Sequence, residues 1–127
     1  MITEKDLEEM GYFEQFGTGP QYSKTLAEYS KWVEDKMLTS GSDRLVENTL
    51  GLVGEAGEVA EKIKKKIRDN ARVNSDEIVK ELGDVLFYTT ALANYFMSDL
   101  GVVMEVNISK LDGREERGTL KGSGDNR

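Results

Sequence analysis

Two short segments of the chain repeat one arrangement of acids. Glu55-Ala56-Gly57-Glu58-Val59 and Glu81-Leu82-Gly83-Asp84-Val85 each hold two carboxylates three residues apart, a spacing that sets them on one side of an α-helix. The pairs are also mirror-related along the chain. Residues 55 and 84, and residues 58 and 81, share one midpoint just past Asp69. Two antiparallel helices joined near that midpoint would bring all four acids to one level, to within about one helical turn of some 5 Å. Four converging carboxylates suit a hard cation. Oxygen ligands favour Mg2+ or Mn2+, and Mg2+ typically takes one or two carboxylates together with waters and substrate phosphates. Two such ions can clamp a polyphosphate and activate a water toward it.

The competing reading is a solvated helix face, in which each acid is matched by a lysine four residues on. The local partners do not fit it. Glu55 is followed at that spacing by Val59, Glu81 by Val85 and Asp84 by Tyr88; only Glu58 has a lysine, Lys62. Like charges three apart cost a helix a few tenths of a kcal/mol. Gly51, Gly54, Gly57 and Gly83 fall in the same two helical stretches, at about 1 kcal/mol each relative to Ala. Close helix packing or backbone approach to a ligand would offset that cost. Local rules broken together point to a functional site. Beside the acids lies the basic run Lys62, Lys64, Lys65, Lys66 and Arg68, of which Lys62 and Lys65 share the Glu58 stripe and are candidate substrate contacts.

Composition narrows the chemistry further. The 127 residues include no Cys and no His. That removes thiolate and His-bearing zinc sites, cysteine nucleophiles, Ser-His-Asp triads and Glu-x-x-His di-iron pairs. A net charge of −7 argues against non-specific nucleic-acid binding, which needs a basic footprint. No apolar run approaches the ~18 residues of a membrane span, and MITEKDLEEM lacks the apolar stretch of a signal peptide. The expectation is a cytoplasmic protein with no membrane and no nucleic-acid partner.

The elements that must position the acids are helices. Pro20 is the only proline, and from there on the apolar spacing is three and four: Leu45, Thr49, Leu52, Ala56, Val59, Ile63, Ile67, then Ile78, Leu82, Val85, Thr89, Leu92, Phe96. Helices are predicted at about 21–37, 45–68, 76–98 and 102–112, with a short one between Thr3 and Gly11. Asn74 and Glu77 have the spacing of a capping box. The fold class is all-α, a helical bundle built on a long antiparallel hairpin. The division is a 1–20 extension, a 21–112 domain and a polar, glycine-rich tail at 113–127, either frayed or ordered by a ligand or partner. The modest core predicts self-association.

The segments GLVGEAGEVAEKIKK and KELGDVLFYTTALANYF resemble the MazG-like, all-α nucleoside triphosphate pyrophosphohydrolases, whose pattern is Glu-x-x-Glu, a spacer, then Glu-x-x-Asp. The likeness extends upstream to Tyr29–Trp32 and downstream to NISKL at 107–111 and the closing GSGDNR. It implies hydrolysis of a (deoxy)nucleoside triphosphate to the monophosphate and pyrophosphate, in nucleotide-pool house-cleaning or rebalancing. Glu55, Glu58, Glu81 and Asp84 would be catalytic and hold Mg2+, with Mn2+ as a substitute, in a homodimer or homotetramer. Asn107 and Lys110, with Arg114 a turn further on, would contact phosphates, and Trp32, Tyr88 and Tyr95 are candidate stacking partners for the base. Many members carry a glutamate where this chain has Gly54, which leaves Glu55 and Glu61 as candidate general bases. The rival readings are a non-catalytic helical interaction protein and a nucleotide-binding regulator without turnover.

Overall fold

The computed structural model describes residues 3–11 and 24–127. Among them are five helices and no strand: α1 (Glu4–Glu9), α2 (Leu26–Asp35), α3 (Gly41–Asp69), α4 (Ser75–Tyr95) and α5 (Leu100–Glu116). The all-α expectation holds. The expected start of the first long helix near residue 21, and most of the 1–20 extension, lie outside the described residues. The short N-terminal helix is present. Thr3 and Asp6 cap it reciprocally, the Asp6 amide donating to the Thr3 hydroxyl and the Thr3 amide to the Asp6 carboxylate. Gly11, at φ +72°, takes the left-handed conformation just beyond its end.

α3 and α4 form the antiparallel hairpin, the most extensive helix pairing in the chain. Asn70 ends α3 in the left-handed conformation (φ 49°), its amide donating to the Lys66 carbonyl. Asn74 starts α4 by accepting from the Asp76 amide at 3.0 Å. The expected capping box with Glu77 does not form: Asn74 bonds the Asp76 amide instead, and the Glu77 carboxylate lies 3.9 Å from Lys62 across the hairpin. α3 begins at Gly41, a full turn before the expected residue 45, with Ser40 at the N-cap.

α2 packs against both α4 and α5. Buried Ser30 is the joint between the three helices: its hydroxyl accepts from the Leu100 amide at 3.0 Å, and its carbonyl accepts from the Asn94 side chain at 2.9 Å. A bidentate pair, Arg44 to Glu34 at 2.8 and 2.6 Å, ties α2 to α3. α4 stops at Tyr95, earlier than expected, because Met97 turns left-handed (φ 59°) and Asp99 caps α5 by accepting from the Val102 amide.

α5 runs four residues past the expected 112, and the tail folds back on its end. Arg114, only 5% exposed, donates to the carbonyls of Gly124 and Asp125 at 3.2 and 3.3 Å. Arg117 donates to the Arg127 carbonyl and Arg127 to that of Thr119, both at 2.8 Å. These contacts to the tail come from the chain's own arginines, not from a ligand or partner.

The core is thin. Among the described residues the buried apolar side chains are Val33, Ala91, Ala93 and Leu100. Large apolar residues stay exposed on α3 (Leu50 and Val53), α4 (Leu82) and α5 (Val102, Met104, Val106). On α5 they point all round the helix, the pattern of a helix meant to be covered on several sides.

The glycines separate into two kinds. A Cβ on Gly51 would overlap the Tyr88 ring, so that glycine admits a close approach inside the hairpin. Among the described residues a Cβ on Gly54, Gly57 or Gly83 would meet nothing within 4 Å, so close packing against those residues does not explain them. Gly51→Ala should therefore destabilise the protein by about 1–3 kcal/mol, as overpacking does. Gly57→Ala should instead hold or raise stability through helix propensity. Paired chemical denaturation curves check both.

Candidate functional site

The stripe of α3 that faces α4 runs through Gly51, Glu55, Val59 and Lys62. It sets Glu55 opposite Glu81 and Asp84, and carboxylate oxygens of the three lie within 4.8 Å of one another. Glu58, three residues after Glu55, falls to the side of that stripe. It is exposed and outside the trio, although its charge still reaches Glu55. The hairpin thus gathers three of the four acids, with the fourth at the rim.

The electrostatics carry the signature of crowding. The Glu55 carboxyl is raised above the usual carboxylate range, first by partial desolvation and then by the charges of Asp84 and Glu81. A hydrogen bond to Glu81, which only protonated Glu55 can donate, adds to the shift, as does the charge of Glu58. Glu81 is balanced from the other side, with the Lys62 ammonium 3.4 Å from its Oε1. Three carboxylates, Glu55 and Glu81 half-buried and Asp84 exposed, with one ammonium among them, offer oxygen ligands that fit a hard divalent cation such as Mg2+ or Mn2+.

The rest of the expected residues are placed as follows. Lys62 reaches the acids, whereas Lys65 lies 3.8 Å from Glu61 on its own helix. Glu61 also pairs with Lys64 at 3.0 Å, and that contact holds its carboxyl below the usual range. Trp32 stacks on Tyr29 (centroids 5.6 Å apart) and meets the edge of Phe87 at 6.1 Å, while Phe87 in turn meets Tyr88 at 5.4 Å. This aromatic row adjoins the acids through Tyr29, whose phenol is raised by burial and then by the charge of Asp84. Tyr29 is the neighbour of the acids that sequence reasoning did not single out. Its spacing of three from Trp32 and its place in the Tyr29–Trp32 segment were the available signals. Tyr95 lies eleven residues beyond Asp84 on α4, about 16 Å along the axis, beside Arg44 and away from the acids.

Asn107 and Lys110 line a separate groove of about 500 Å3 between α4 and α5, with Leu86, Thr89 and Val103. None of the four acids lines it. The Lys110 ammonium is 3.8 Å from the Asp125 carboxylate, and Arg114 is held by the tail. The structure thus brings Lys62, Tyr29, Tyr88 and Trp32 to the hairpin site or its aromatic margin, and sets Asn107, Lys110 and Arg114 on another helix facing a groove and the tail.

Fold and site together define an all-α protein with a carboxylate centre inside a helix hairpin. The chain belongs to the MazG nucleotide pyrophosphohydrolase domain family, whose model matches residues 45–119. It is similar to the "Gene 37 protein" of Mycobacterium phage L5, with 49% identity over 83 residues that cover 62% of this chain and 73% of that protein. No solved structure matches it. No described helix is long and apolar enough to cross a membrane.

A stability prediction follows from Glu55. Because its folded-state pKa is raised, its contribution is fully present below the unfolded value and is lost as pH rises through the folded one. In chelator, Glu55→Gln should therefore unfold at a higher temperature than wild type near pH 7, and the gap should close below pH 4. Melting curves across that range, read as the difference between the two proteins, check it.

Proposed function

We propose that the protein hydrolyses (deoxy)nucleoside triphosphates to nucleoside monophosphate and pyrophosphate, with Glu55, Glu81 and Asp84 holding Mg2+ or Mn2+ and Glu58 joining from the rim. The observation that carries this reading is the convergence of the three carboxylates across the hairpin. The bound cation would supply charge neutralisation for the phosphate chain and a lowered pKa for the attacking water. The chain's own groups do the remainder. Of the two candidate bases, Glu55 lies among the converging acids, whereas Glu61 is paired with Lys64 and Lys65 on its own helix. Lys62 would exchange its contact with Glu81 for a phosphate oxygen, and Lys65 would follow from the next turn. Trp32 and Tyr88, with Tyr29, would flank the base.

Asn107, Lys110 and Arg114 reach the phosphates in this reading when copies associate as a homodimer or homotetramer. Three features support association: the thin core, the apolar residues all round α5, and the open space over Gly54, Gly57 and Gly83. A symmetric partner laid on those faces would bury them. The rival, an inert acidic rim on an interaction protein, leaves the convergence and mutual repulsion of the three acids without a use.

Release of pyrophosphate from a panel of eight nucleoside and deoxynucleoside triphosphates tests the activity. Turnover should require Mg2+ or Mn2+, vanish in EDTA, and fall at least a hundredfold in Glu81→Gln or Asp84→Asn with helix content unchanged. Full activity in EDTA, or none with any of the eight, would overturn the reading. Lys110→Ala should lower kcat/KM by about ten- to a thousandfold, roughly 1.4–4 kcal/mol, and equally for every base, since phosphates are common to all. Light scattering should return a mass of two or four chains, and a 14.2 kDa species would remove the shared site.

A further inference from the structure

Where α3 ends and α4 begins, the hairpin turn borders a cavity of about 320 Å3 that opens to solvent. That is near the lower end of the roughly 300–1,000 Å3 of small-molecule sites. Its walls carry Lys62, Lys65, Lys66 and Arg72 against Asp69 and Glu77, four cations to two carboxylates in a chain whose net charge is −7. Both acids are already engaged, Asp69 by Arg68 at 2.7 Å and Glu77 by Lys62 at 3.9 Å. Lys66 and Arg72 have no carboxylate within 4.0 Å among the described residues. Lysines in the last turn of a helix complement its dipole, which accounts for Lys66. That explanation does not reach Arg72, which lies in the turn beyond the helix. Asn74, the N-cap of α4, also lines the cavity, where the positive end of α4 meets the negative end of α3, so the side-chain cations decide the sign of its potential.

We propose that this cavity binds a compact diphosphate, free pyrophosphate; the assignment of that diphosphate to the reaction's own product rests on the proposed function. The guanidinium of Arg72 offers a two-pronged match to phosphate oxygens, and the ammoniums of Lys65 and Lys66 supply point charges around it. Lys62 joins the cavity to the acids. It lines the cavity and also lies 3.4 Å from Glu81. While Glu81 is charged and unpaired elsewhere, it competes with the diphosphate for this ammonium. Neutralising Glu81 removes the nearer of the two carboxylates that hold Lys62, leaving only Glu77 beside the cavity, and by reciprocity diphosphate in the cavity loosens the hold of Lys62 on Glu81. The order of events that results is orderly: charge balance at the acids and anion binding at the turn support each other.

Calorimetric titration of the full chain in EDTA reads this binding without any turnover, so its outcome is independent of the pyrophosphate-release assay. Pyrophosphate should bind at least tenfold more tightly than orthophosphate or a nucleoside monophosphate. Arg72→Ser, in an exposed turn, should weaken pyrophosphate at least fivefold with circular dichroism unchanged. Glu81→Gln should tighten it at least threefold more than Glu55→Gln does, because both remove one charge but only the first releases Lys62. Equal affinity for orthophosphate and pyrophosphate, or no loss in Arg72→Ser, would overturn the site and leave the lysines as partners of the helix dipole. Equal gains in the two glutamine variants would overturn the role of Lys62.

Discussion

The Tyr88 ring lies where a side chain on residue 51 would be, and the level of every other group in the hairpin depends on that contact. Helices that slide past one another by a turn lose their pairing of small with large residues, and here the ring is seated against the bare backbone of Gly51. With Gly51 level with Tyr88, Glu55 falls level with Asp84 and Lys62 with Glu77. A steric constraint between a glycine and an aromatic thus sets an electrostatic one, four residues away, between acids.

That second constraint runs against folding. Carboxylates brought within 4.8 Å of one another repel, and the desolvation that raises Glu55 adds to the cost. The chain offsets it in part with Lys62 on Glu81 and leaves the rest for a cation to relieve. The same trade recurs in the apolar residues. Leu50, Val53 and Leu82 are each more than half exposed, a poor use of large side chains in a chain with so small a core. Both features fit the proposed cation site and the proposed association of copies.

Much of this was legible in the sequence, for reasons that can be named. The apolar spacing gave the helices, and the mirror placement of the two acid pairs around one midpoint gave the antiparallel pairing and its level. Spacing alone could not divide the acids. Residues three apart differ by about 60° around a helix, so Glu55 faces α4 while Glu58 looks past it. The glycines were ambiguous because close packing and open approach demand the same residue; only the position of Tyr88 separates Gly51 from Gly54, Gly57 and Gly83. The tail was illegible because its order comes from arginines: Arg114 shares a spacing with Asn107 and Lys110, yet its guanidinium is buried against Gly124 and Asp125. Tyr29 became a neighbour of Asp84 through the crossing of α2 over α4, which no local pattern encodes.

The central claim is that Glu55, Glu81 and Asp84 form one cation site rather than three surface acids. Electron paramagnetic resonance of Mn2+ titrated against the nucleotide-free protein tests it most directly, since bound and free Mn2+ differ in signal. The account predicts saturable binding that is lost in Glu81→Gln and in Asp84→Asn, and retained in Glu28→Gln, a glutamate of α2 whose neighbour is its own N-cap Thr25. Equal Mn2+ binding by all four proteins would contradict it.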